Sequence, residues 1–319
     1  MGKYSYSSAV FSGKGNIEIF TQQWIPERAK AGIILVHGLG EHSGRYSAVI
    51  EALSGKSVSF FALDHRGHGK SKGLKGHVDS FMDYIFDLKI YINSIKSANP
   101  GLPLFMLGHS LGGAIACRYA LTYQNDLNGL ILSAPGLIPA TQLSFFERIY
   151  ARFLSFALPS YSMSNGLDPA ALSHDEDIVA AYIQDSLVHD LITPRFSTEL
   201  SENAQFCLEK AFQLRLPLLC IHGTDDRIYS AKGTEILCQR ADSEDKMLLL
   251  FPNLYHETMN ELRKDRQKVL SSISKWITDR VAKKKEPFSS HQTIDAKTKP
   301  AASKKPTSEK KKKTVEKKK

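Results

Sequence analysis

Leu102-Pro-Leu-Phe-Met-Leu107, Gly108-His109-Ser110-Leu111-Gly112-Gly113 and Ala114-Ile-Ala-Cys-Arg-Tyr-Ala-Leu121 follow one another without a break. The first run is short and apolar, as a buried strand is. The last has helical spacing. Between them stands G-x-S-x-G, the pattern of a nucleophile elbow, and strand, tight turn and helix are the context that pattern requires. Such a turn holds Ser110 in a strained conformation with its hydroxyl clear of the sheet. The glycines let strand and helix approach without Cβ clashes. A serine in an ordinary glycine-rich turn is the plain alternative, so the rest of the chain has to decide.

Upstream, Gly32-Ile-Ile-Leu-Val36 and Ser57-Val-Ser-Phe-Phe-Ala-Leu63 are continuous apolar runs, expected of strands covered on both faces. They end in His37-Gly-Leu-Gly40 and Asp64-His-Arg-Gly-His-Gly69. Tyr4 to Phe11 and Asn16 to Trp24 read as an N-terminal hairpin. Downstream, Gly129-Leu-Ile-Leu132, Leu216 to Ile221 and Met247 to Phe251 read as strands. Helices are expected at about 45–53, 80–97, 232–241 and 262–281. This alternation predicts a mostly parallel, doubly wound α/β sheet. It pauses between 136 and 215, where no strand is convincing. The expected organisation is a core of residues 1–135 and 216–282, a helical cap or lid at 136–215, and a tail at 283–319. Leu143 to Leu158 has apolar residues at helical spacing with Arg148, Arg152 and Ser155 opposite. It is either a helix packed on its own domain or a greasy lid facing substrate or a membrane surface.

Hydrophobic residues make up 42% of the 319, an ordinary globular share. No stretch reaches the ~20 apolar residues of a membrane span. Met1 to Phe11 lacks the basic and apolar segments of a secretory signal, so a cytoplasmic protein is expected. Cys117, Cys207, Cys220 and Cys238 are widely spaced and read as reduced core thiols, with no metal site. The net charge of +9 is unevenly spread. Residues 283–319 hold 14 lysines against Glu286, Asp295, Glu309 and Glu316, a net of +10, which leaves −1 for residues 1–282. The basicity is therefore no sign of specific nucleic-acid recognition by the folded part. The tail is expected to be disordered. It is a solubilising segment, a contact for anionic membrane, or a non-specific polyanion binder.

A serine hydroxyl needs a base in reach, usually a histidine held by a carboxylate. After Ser110, the strand at 216–221 ends in His222-Gly-Thr-Asp-Asp-Arg227, and the next ends in Pro252-Asn-Leu-Tyr-His-Glu257. The order serine, acid, histidine suits an acyl-transfer site at the carboxyl ends of parallel strands. His256 is the base. Spacing leaves Asp225 and Asp226 both open as the acid. The backbone N–H groups of Leu39 and Leu111 are the expected oxyanion donors.

His37-Gly-Leu-Gly-Glu-His-Ser-Gly-Arg-Tyr46, Asp64-His-Arg-Gly-His-Gly-Lys-Ser71, Gly108 to Gly113, Gly223-Thr-Asp-Asp-Arg227 and Tyr255-His-Glu together resemble the monoacylglycerol lipase/lysophospholipase group of α/β hydrolases, serine hydrolases with an S33-like aminopeptidase domain. The resemblance spans about residues 10–282. It implies the α/β-hydrolase fold, the triad Ser110, Asp226 and His256, and no cofactor. It implies a lipid ester substrate, monoacylglycerol or lysophospholipid, and a cap whose hydrophobic helix guides acyl chains. It places Glu41, Arg45 and Tyr182 near the polar end of the pocket; Glu41 and Arg45 equally read as a pair bracing the oxyanion loop. Where mammalian members have a second histidine, this sequence has Met259. A proline iminopeptidase, using acids of the insertion for a free amine, and a non-catalytic scaffold with a working tail are the rival functions. The motifs leave oligomeric state, chain length and regiospecificity open.

Overall fold

The apolar runs do become strands, and the computed structural model describes residues 4–141 and 144–282. The hairpin is β1 (Tyr4–Ser12) and β2 (Glu18–Pro26). Then come β3 (Ala31–Val36), α1 (Ser47–Ala52), β4 (Val58–Leu63), α2 (Met82–Ala98), β5 (Leu104–His109), α3 (Leu111–Tyr123) and β6 (Gly129–Ser133). Within the insertion lie α4 (Phe145–Ala157), β7 (Met163–Ser164), α5 (Glu176–Gln184), β8 (Leu191–Ile192) and α6 (Pro194–Lys210). The chain closes with β9 (Leu218–Gly223), α7 (Ala231–Arg240), β10 (Lys246–Phe251) and α8 (Arg263–Ala282).

The described strands build one eight-stranded sheet in the order β1-β2-β4-β3-β5-β6-β9-β10. The first two are antiparallel to their neighbours and the remaining pairings are parallel. Every residue of β3, β4, β5, β6 and β9 is buried, which explains their unbroken apolar character. Residues of α2, α3, α6 and α7 pack over one face and residues of α1 and α8 over the other. Each fully buried Leu, Ile or Phe contributes about 1.5–3 kcal/mol. This is the α/β-hydrolase fold. The strand order reverses at β3, so a crevice opens beyond the carboxyl ends of β3 and β5. The loop 37–40 and Ser110 both leave the sheet there.

The region 136–215 departs from expectation in its strands and takes, in α4, the outward-facing of the two expected arrangements. It contains a short antiparallel pair, Met163 with Ile192 and Ser164 with Leu191, where no strand was expected. And α4 shows its apolar side to solvent: Phe146, Tyr150, Phe153 and Phe156 are exposed, Phe156 at 87%, while Ser155 is buried. A capping box between Ser144 and Glu147 starts this helix. It rests on α6, whose Phe196, Ala204 and Cys207 join the core beside α3. Leu143, the start of the expected helix, lies outside the described residues, as do Gln142 and the basic tail at 283–319. All four cysteines are buried free thiols. Among the described residues, no helix is long and apolar enough to cross a membrane.

Candidate active site

Ser110 has φ 54° and ψ −119°, a conformation that costs a non-glycine residue of order 1–3 kcal/mol. Hydrogen bonds on both sides over-determine it. Its N–H donates to Ser133 O at 3.0 Å, and its carbonyl accepts from Ala114 N and Gly136 N. One glycine is indispensable to the turn: a Cβ on Gly112 would run into the backbone carbonyls of Val36 and His37. Backbone cannot step aside as a side chain can. Gly112→Ala is expected to destabilise the protein by about 3 kcal/mol or more, read from chemical denaturation, with loss of whatever reaction Ser110 performs. Leu111 is the first residue of α3, so its N–H lacks an intrahelical acceptor and sits at the positive end of the helix.

The first oxyanion candidate arises on the loop after β3. The Gly38 N–H donates to Glu41 Oε1 at 2.5 Å, which leaves the following amide, Leu39, for a substrate oxygen. This loop lies against the elbow, since a Cβ on Gly38 would stand 3.3 Å from Ser110 Cβ. The insertion pins it: His189 N donates to Gly40 O, and His42 Nε2 pairs with Asp185 Oδ2 at 2.8 Å.

The fold separates the two acids that spacing left open. Asp225 is exposed and accepts from Thr224 Oγ1. Asp226 is buried. Its Oδ2 accepts from His256 Nδ1 at 2.7 Å and from His222 Nε2 at 2.9 Å, and its Oδ1 from the amides of Ile228 and Tyr229 at 2.8 and 3.0 Å. Burial alone would raise its pKa; His256 and His222 outweigh that and hold it well below the usual carboxylate range. His256 follows β10 and is buried, its ring 4.8 Å from His109 and 5.8 Å from Tyr229. Burial, with His256 alongside, pushes His109 down to about 4.

Glu41, Arg45 and Tyr182 also converge. Arg45 Nη1 bonds Glu41 Oε2 and Glu257 Oε1, both at 2.7 Å, and Nη2 bonds Glu257 Oε2 at 2.9 Å. The guanidinium stands 4.8 Å from the Tyr182 ring centre. Glu41 Oε1 accepts from Tyr46 as well as Gly38. Bracing of the oxyanion loop is thus present in the geometry, and both carboxylates also face the cavity. Burial works against charge on Glu41, but Arg45 and the neighbouring histidines bring it down to about 2. Two residues in contact with these groups, Glu257 and His222, stood in the quoted motifs without a role. Only adjacency to His256 or position near the end of β9 could have singled them out.

Gly38, Leu39, Glu41, Ser110, Tyr182, His256 and Glu257 line one cavity of about 480 Å³. Leu137, Leu167, Leu172, Ile192, Phe196 and Leu200 are among the apolar residues that share its lining. Residues 27–263 match the family model described as serine aminopeptidase, S33. The chain belongs to this family of α/β hydrolases. Among its relatives, a monoacylglycerol lipase of Mycolicibacterium smegmatis is 34% identical over 269 residues, 84% of this chain and 95% of that one. A monoglyceride lipase of Rattus norvegicus is 33% identical over 83% of this chain and 88% of its own. Among solved structures, the monoacylglycerol lipase of Paleococcus ferrophilus superimposes with a TM-score of 0.74 at 32% identity, covering 86% of this chain and 99% of that one. Within the S33 family, the chain is a serine hydrolase of the monoacylglycerol lipase/lysophospholipase type.

Proposed function

We propose that this protein hydrolyses carboxylic esters of lipid-like substrates, monoacylglycerol foremost, through an acyl-enzyme on Ser110. The observation that carries the reading is the cavity: Ser110, His256, Gly38 and Leu39 share its lining with Leu137, Leu167, Leu172, Ile192, Phe196 and Leu200. An acyl chain suits those apolar side chains, with its carbonyl beside Ser110. Ser110 Oγ attacks that carbonyl while His256 takes the proton through Nε2, its Nδ1 being held by Asp226. The N–H groups of Leu39 and Leu111 receive the oxyanion. His256 then passes the proton to the leaving alcohol, and a water attacks the acyl-enzyme by the same route in reverse.

Glu41, Arg45 and Tyr182 stand at the leaving-group end. Two carboxylates, Glu41 and Glu257, face one guanidinium there, so the local charge is net negative. That favours a neutral glycerol over a phosphate-bearing headgroup. Residues 136–215 act as the cap, with the exposed aromatic side of α4 turned to a lipid surface and the 283–319 lysines as a second contact. The acids of the insertion suit a peptidase less well: Asp185 is taken by His42, Asp175 caps α5, and neither lines the cavity.

The test is labelling by a fluorophosphonate probe followed by a substrate panel. Monoacylglycerol is expected to exceed lysophosphatidylcholine in kcat/KM by about tenfold or more, the worth of ~1.4 kcal/mol of charge discrimination. Turnover of a proline amide without ester turnover, or a folded protein that does not label, overturns the proposal.

A further inference from the structure

The carboxylate of Asp226 serves two histidines, and only one of them borders Ser110. We infer that His222 is a positioning residue for the reaction, sharing Asp226 Oδ2 with His256 and thereby setting how strongly that carboxylate supports the His256 imidazolium. The inference rests on the acyl-transfer reading of Ser110, Asp226 and His256.

His222 is the penultimate residue of β9 and is fully buried. A histidine buried there is costly unless both ring nitrogens are satisfied. Both are. Nδ1 meets Thr234 Oγ1 of α7 at 2.6 Å, and Nε2 points at Asp226 Oδ2 at 2.9 Å and Tyr229 O at 3.1 Å. With the Thr234 hydroxyl on Nδ1, the hydrogen on Nε2 faces the carboxylate. On α7 the facing group is thus an uncharged hydroxyl, and the β10 residue in register is Leu250. The charged and titratable groups around the pair are Asp226 itself, His256, His109 and Tyr229 against the His256 ring, and Glu257 and Glu41 beyond.

Two physical effects follow. The His222 N–H and the amides of Ile228 and Tyr229 hold both carboxylate oxygens, so Asp226 presents a fixed oxygen to His256 Nδ1. The same N–H draws negative charge from Oδ2. Without it, more of the carboxylate charge falls on His256 and stabilises the protonated ring. The reaction would then require a higher pH to free the base, and a less constrained carboxylate would orient the ring less well.

The experiment uses His222→Leu, which removes the donor, His222→Gln, which keeps an N–H, and Thr234→Val, which removes the hydroxyl that settles which ring nitrogen carries the hydrogen. kcat/KM for a short-chain p-nitrophenyl ester is followed from pH 5 to 9, with active enzyme counted by fluorophosphonate titration. In His222→Leu the acid limb is expected to move up by about half to one pH unit, and kcat per active site to fall about tenfold. His222→Gln returns the limb to within about 0.3 unit of wild type. Thr234→Val moves it the same way as His222→Leu, by less. An unmoved limb and unchanged kcat per site in His222→Leu assign His222 to packing alone and overturn the inference. If that variant yields no folded protein, an unmoved limb in Thr234→Val does the same. A wild type with no hydrolase activity overturns the acyl-transfer reading and this inference with it; an active wild type with unmoved variants overturns this one only.

Discussion

Ser110→Ala is expected to lower kcat by about five to six orders of magnitude and to leave stability unchanged within about 0.5 kcal/mol. In the proposed reaction this hydroxyl forms the acyl-enzyme, and nucleophile, base and acid act as a unit, so its loss removes nearly all that the three supply. Residual turnover would come from Leu39, Leu111 and binding. Stability should hold because alanine keeps the backbone at φ 54°, and the bonds to Ser133, Ala114 and Gly136 involve main chain alone. Ser110→Gly is the informative companion. Glycine adopts that φ without a Cβ penalty, so it should be equally inactive yet more stable, by about 1 kcal/mol. Ester turnover, probe labelling and urea denaturation measure all three. A Ser110→Ala protein retaining a tenth of the wild-type rate, at matched concentration, would move the nucleophile elsewhere.

How far this site was legible before folding depends on the kind of signal each residue leaves. Ser110, Asp226 and His256 each follow an apolar run, and a parallel sheet delivers the carboxyl ends of its strands to one edge. Their convergence therefore follows from strand order. The choice between Asp225 and Asp226 does not, because adjacent loop residues share every local pattern. It takes the fold to leave one in solvent with Thr224 and bury the other against two imidazoles. For α4 the period was readable and the direction was not. Helical spacing says that a stripe exists; it says nothing of what the stripe faces. In the fold Phe153 is outside and Ser155 inside, on a helix packed against α6. Glu257 left no signal beyond its place after His256, since its partner Arg45 lies 212 positions away.

Arg45 is where the second large effect is expected. Arg45→Met should destabilise the protein at pH 7 by about 3–5 kcal/mol, the usual cost of leaving buried charge uncompensated. Glu41 and Glu257 are 4% and 3% exposed, so water cannot replace the guanidinium. The deficit relative to the wild type should also shrink as the pH falls. In the wild type, Glu41 is held at about 2, below its ordinary value. The stability from that pairing is complete above about pH 4.5 and is lost as the pH falls toward 2. Without Arg45, burial, the largest influence on Glu41, is expected to raise its folded-state pKa above its unfolded one. Relative to the wild type, the variant should then recover stability as the pH drops from 7 to 5, against the loss both proteins share there from buried histidines held low, His109 at about 4 among them. Denaturation at pH 7, 5 and 3 measures both trends. The variant Arg45→Met/Glu41→Gln/Glu257→Gln separates charge from packing: with neither carboxylate left at this site, it should recover most of the loss, and what deficit remains should not change between pH 7 and 5. An Arg45→Met protein as stable as wild type at pH 7 would mean that the two carboxylates find water, and that the brace on the Gly38–Glu41 loop lies in the Tyr46 and Gly38 hydrogen bonds instead. Because Glu41 Oε1 holds the Gly38 amide, losing Arg45 should also cost kcat, through a loosened Leu39 N–H beside Ser110.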